Sequence, residues 1–200
     1  MISLVGCTRR NDNQALHTIQ SRASHPNVHY PGEPSLKNDF TTRAAVLGSI
    51  DGGQAYMPFR EAIALFPPAH YNTKPTNVPY SFWHLLEHIR ITARDILDYI
   101  QDPDYHACTW PVDYWPARDA VTDDAGWNAT VEAIYGDLAD LRAIANDPER
   151  DLASLARNAH GNDQHTLFRE ILVVTDHNAY HTGEFAILRA VMNLWPETHT

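Results

Sequence analysis

The chain has 200 residues, 44% hydrophobic and 20% charged, which suits one globular domain with a sizeable core and excludes intrinsic disorder. Fifteen basic against 25 acidic residues leave a formal charge of −10, so the positive footprint of a nucleic-acid binder is missing. No run approaches 18 apolar residues, so no membrane span is expected, and twelve histidines hint at metal chemistry.

Residues 1–38 read as a polar N-terminal arm, with Pro26, Pro31 and Pro34 and no sustained periodicity. The opening "MISLVGC" has neither the basic region nor the apolar segment of a secretion signal. Cys7 and Cys108 make no disulfide framework, and a cytoplasmic protein is expected. A first helix begins after Asn38 or Asp39 and places Phe40, Ala44, Leu47 and Ile50 on one side, ending at Gly52-Gly53. Pro58 opens a short helix through Leu65, and Pro67-Pro68 stops it.

Ser81 caps a second long helix running to Ile100, whose apolar stripe is Leu86, Ile89, Ala93, Ile96, Leu97 and Ile100. An aromatic, proline-rich loop follows, with Trp110, Tyr114 and Trp115. Thr122 or Asp123 starts a third long helix carrying Trp127, Val131, Ile134, Tyr135, Leu138 and Leu141 at helical spacing. The last, Gln164 to Leu194, aligns Glu170, Val173, Val174, His177, His181, Glu184, Leu188 and Met192 on one stripe. No segment reads as a strand, so an all-α fold is expected, a bundle of four long helices over 39–196.

The chemistry concentrates on that last helix. His177 and His181 stand four residues apart on a mostly apolar stripe, where polar groups need partners, and i, i+4 imidazoles can share one divalent ion. The competing reading is a pair of core histidines bonded to neighbouring helices. A third ligand would come from a facing helix, which offers His84 and His88. His88 lies about 100° from the centre of its helix's apolar stripe, so periodicity leaves it on a flank or in solvent. Glu87, Glu170 and Glu184 are candidate bases or partners of the imidazoles. Glu87, near Arg90 and Arg94, reads as solvent-exposed charge, whereas Glu184 shares the histidine stripe. Trp110, Tyr114 and Trp115 either wall a pocket or cap the end of the helices.

The "WHLLEHIR" start of the second long helix, the "DHNAYHTGE" of the last and the "DYWP" loop resemble the DinB-like family over about residues 39–196. That resemblance implies an up-down-down-up four-helix bundle, a homodimer, and one divalent metal, nickel or zinc, held by His88, His177 and His181. His84 falls at a variable position of the family's pattern. Glu184 stands where the family often has Gln, as a ligand, a proton acceptor for a ligand imidazole, or a catalytic group. Members of the family act on small molecules as hydrolases or transfer low-molecular-weight thiols. The expectation is therefore a metal-dependent enzyme for a small-molecule or thiol substrate. The alternative is a non-catalytic, metal-stabilised stress or binding protein, which a closed site with four protein ligands would favour.

Overall fold

A computed structural model describes residues 35–37, 39–156 and 165–197. The chain separates into two units at Pro34 and Ser35, and the second is described by itself here. The expected arm lies outside the described residues except at its end. There Ser35 Oγ–H and the Leu36 N–H donate to the Asp151 carboxylate, and Lys37 pairs with Glu149.

The described residues contain five α-helices, two short 3-10 turns and no strand: α1 Phe40–Asp51, α2 Phe59–Ile63, α3 Phe82–Gln101, α4 Asp124–Asn146 and α5 Leu167–Val191. The fold is all-α, as expected. Each long helix begins on a side-chain oxygen that accepts a backbone N–H left unpaired at the first turn: Asp39, Ser81, Asp123 and Thr166. At Ser81 the cap is reciprocal, because its backbone N–H donates back to His84 Nδ1 at 3.3 Å. The short helix α2 stops two residues sooner than expected. Leu65 stands at φ 53° and is 82% exposed, outside the helix.

Helices α1 and α3 each pack on both α4 and α5, and α2 packs on α5. The buried side chains form two apolar clusters. One joins Val46 and Ile50 of α1 with Ala93, Leu97, Leu141, Ile171 and Val174. The other is aromatic, with Phe66, Phe82, Trp127 and Phe185 around Leu85 and Ile89. On α5 the first cluster ends at Val174 and the second resumes at Phe185, so the segment carrying both histidines lies between them.

Two helices are turned relative to the expected faces. On α1 the buried residues are Arg43, Val46 and Ile50, and Phe40 is 85% exposed. Arg43 decides this: its guanidinium donates to the carbonyls of Lys37, Ala145 and Arg150, so a cation takes a core position. On α5 the buried line runs Leu167, Ile171, Val174, Thr182, Phe185 and Arg189, leaving Val173 exposed and His177 and His181 at the edge of the core.

Among the described residues no helix is long and apolar enough to cross a membrane. Among the described residues no cysteine is free, so the cysteine pattern no longer argues for a reducing compartment.

Candidate metal centre

His88 on α3 and His177 and His181 on α5 converge, each offering a ring nitrogen within 4.8 Å of the others. Their ring centroids are 4.5–4.9 Å apart. His88 is 2% exposed, which corrects the flank or solvent position expected from the stripe of α3. The loop after α3 buries it. Trp115 stacks on the imidazole at 4.0 Å with an interplanar angle of 7°, and Tyr80 in turn stacks on Trp115 at 4.9 Å. Trp115 therefore walls the centre rather than capping the helix ends. Trp110 stands farther out, 6.3 Å from His88 and 58% exposed.

The hydrogen bonds assign the protons. A carbonyl oxygen only accepts, so the 2.9 Å contact between His88 Nδ1 and Tyr114 O places the His88 proton on Nδ1. His181 Nδ1 lies 2.7 Å from Glu184 Oε2, and the carboxylate accepts its proton in the same way. Both rings thus keep an Nε2 lone pair. This is the arrangement of metal-bound histidines, whose remote N–H is held by a carbonyl or carboxylate. His177 Nε2 lies 3.1 Å from His88 Nε2. Two ligands of one zinc ion at about 2.05 Å in tetrahedral geometry would stand about 3.3 Å apart. His177 Nδ1 is buried without a hydrogen-bond partner.

Burial holds the His88 pKa down to about 4 and that of His177 to about 3, the neighbouring imidazoles adding to the effect on His177. Both rings are accordingly neutral at pH 7, the state in which imidazole binds a metal. Burial pushes Glu184 up, but hydrogen bonds from His181 and Tyr80 outweigh it and leave its pKa below the usual glutamate range. Tyr80 O–H donates to Glu184 Oε1. The three histidines, two with oriented N–H groups and two held neutral by burial, fit a divalent ion.

Compared with protein-family models, curated proteins and solved structures, the chain has no match. The site therefore rests on its own geometry.

The other candidates lie elsewhere. His84, also buried, is used up by the α3 cap: Nδ1 faces Ser81, and Nε2 meets Ala117 O at 3.0 Å. Glu87 is not a free surface charge. It pairs with Arg90 at 2.8 Å and accepts from Thr130 Oγ1–H at 2.6 Å, tying α3 to α4. Arg94 turns to Asp98 and Asp137 instead. Glu170 is 4% exposed, with His165 Nδ1 at 2.8 Å and Arg169 at 2.6 Å, in a separate cluster at the start of α5.

Sequence reasoning missed three contributors. The Tyr114 carbonyl is a backbone group, and Tyr80 precedes a cap, so neither carries a periodic signal. Asp95 did carry one, seven residues and two turns after His88 on the same face. Its carboxylate accepts O–H bonds from Tyr114 at 2.6 Å and Tyr105 at 3.0 Å, holding the loop that covers His88.

Proposed function

We propose that this chain is a DinB-like four-helix-bundle protein in which His88, His177 and His181 hold one divalent ion, nickel or zinc. We further propose that it is an enzyme acting on a small molecule, as a hydrolase or a transferase of low-molecular-weight thiols. The observation that carries the reading is the imidazole triad, with Nδ1–H of His88 and of His181 each tied back to an acceptor, His88 Nε2 and His177 Nε2 3.1 Å apart, and a ring nitrogen of each histidine within 4.8 Å of the others. Packing of α1 and α3 each against both α4 and α5 supports the bundle. Exposed Tyr180, Ile187 and Val191 along α5 support a homodimer.

When bound, such an ion supplies Lewis acidity toward water or a thiol at a coordination position that three protein ligands leave open. The chain's own residues do the rest. Tyr114 O and Glu184 hold the ligand rings in one tautomer, and Trp115 and Tyr80 keep bulk water from one side of the centre. Glu184, ionised and already holding His181 Nδ1–H, acts on the ring rather than as a fourth ligand.

Elemental analysis tests the metal. Purified protein should carry close to one divalent ion per chain, and His88→Ala, His177→Ala and His181→Ala should each lose most of it. Full metal content in all three variants would refute the centre. Cobalt-substituted protein then separates the activities. A thiol substrate should produce an intense near-ultraviolet charge-transfer band, and a panel of esters and amides reports hydrolysis. No response to either, together with a loaded structure closed by four protein ligands, would replace the enzyme with a metal-stabilised binding protein.

A further inference from the structure

A cavity of about 430 Å³ opens beside the histidine centre, and none of the three histidines lines it. Ile89, Asn178 and Thr182 face it, each the residue directly after His88, His177 and His181. Consecutive helical residues diverge by about 100°, so the cavity occupies the neighbouring face of α3 and α5 at the same level. Its walls are otherwise largely apolar, with Ile50, Phe59, Ile134 and Leu138 from three further helices.

Two polar atoms in this wall are unsatisfied. Thr182 is 1% exposed and its Oγ1 has no hydrogen-bond partner, while Asn178 Oδ1, beside the His177 ring, makes no hydrogen bond of good geometry. Buried polar atoms without partners are costly, so such atoms facing an apolar cavity mark where a ligand's polar group belongs. An amide oxygen only accepts, and a threonine hydroxyl can, so the ligand must donate. At the rim Arg142 pairs with Asp51, and Arg60, which also lines the cavity, is exposed to solvent.

We propose that this cavity binds a compact, uncharged, largely apolar molecule bearing a hydroxyl or N–H group, which donates to Asn178 Oδ1 and Thr182 Oγ1. The site uses neither the histidines nor a metal, so it stands apart from the function proposed above.

The test is a fluorescence titration with 2-naphthol and with 2-methylnaphthalene, its near-isostere lacking the donor, on metal-loaded and chelator-treated protein. One molecule of 2-naphthol should bind saturably per chain in both forms, at least fivefold tighter than 2-methylnaphthalene. Thr182→Val should shrink that preference. Ala139→Trp, on the exposed rim, should weaken 2-naphthol at least tenfold while leaving metal content unchanged. Intermolecular NOEs from 2-naphthol to the Ile89 and Ile134 methyls locate the ligand independently of any variant. Absence of saturable binding, equal affinity for the two probes, unweakened binding by folded Ala139→Trp, or NOEs elsewhere would overturn the proposal.

Discussion

Asp95 accepts from two tyrosines, and the difference between them makes a quantitative test. Tyr114→Phe deletes an O–H donor 2.6 Å from Asp95 Oδ2, whereas Tyr105→Phe deletes one at 3.0 Å from Oδ1. A hydrogen bond to a charged group contributes about 1.5–3 kcal/mol. At about 2–4 °C per kcal/mol for a unit of this size, Tyr114→Phe should lower Tm by about 3–12 °C. Tyr105 donates to the same carboxylate over a longer 3.0 Å bond, so Tyr105→Phe should fall in the lower half of that range, about 3–6 °C, and below its counterpart. The pH dependence has a defined sign. Burial raises the Asp95 pKa against the hydrogen bonds that lower it, and removing a donor raises it further. A raised carboxylate favours the folded state at low pH and loses that advantage as pH rises through the folded value. The Tyr114→Phe deficit should therefore be larger at pH 7 than at pH 4. Because the Tyr114 carbonyl orients His88, the same variant should weaken zinc about tenfold or more in a chelator competition. Thermal denaturation of both variants decides the matter. A Tyr105→Phe loss equal to or above that of Tyr114→Phe, or a deficit that grows on acidification, would refute the reasoning.

Metal-stripped protein should keep its stability above about pH 6.5 and lose it as pH falls toward 4, because the unfolded chain protonates histidines that burial keeps neutral at positions 88 and 177. A urea midpoint that does not fall between pH 7 and 5 would contradict this. Phe185→Ala opens a void among Phe66, Phe82 and Trp127 and should cost about 3–5 kcal/mol in chemical denaturation. Arg189 is 0% exposed, donates to Ala62 O at 2.7 Å and Leu194 O at 3.1 Å, and lies 4.0 Å from the Trp195 ring centroid. Arg189→Lys should not restore the stability lost in Arg189→Ala, since an ammonium cannot span both carbonyls, and comparative melting tests it. Glu184→Gln should weaken zinc about tenfold by replacing the charged acceptor of His181 Nδ1–H, as read by the same chelator competition.

Helix existence was legible residue by residue, and so were the starts of all the long helices but the last, which begins at Leu167 on a Thr166 cap rather than at Gln164. Ser81 and Asp123 act as the caps their side chains suggest, and the glycines at 52 and 53 end α1 at φ 70° and 76°. The four-residue spacing of His177 and His181 specified that they share a face, and both contribute to the centre. These are local properties, set by backbone hydrogen bonding and by the period of the helix within one segment. The rotation of each helix about its own axis is different in kind. Periodicity defines angles between residues, but which line faces inward depends on what the neighbours supply. Carbonyls from Lys37, Ala145 and Arg150 let Arg43 take a core position. The fate of His88 was likewise settled far along the chain, where Asp95 and its two tyrosines hold a loop that brings Trp115 onto the imidazole and Tyr114 O onto its Nδ1. Burial of a polar side chain is a property of everything packed against it, and those contacts arise only when distant segments meet.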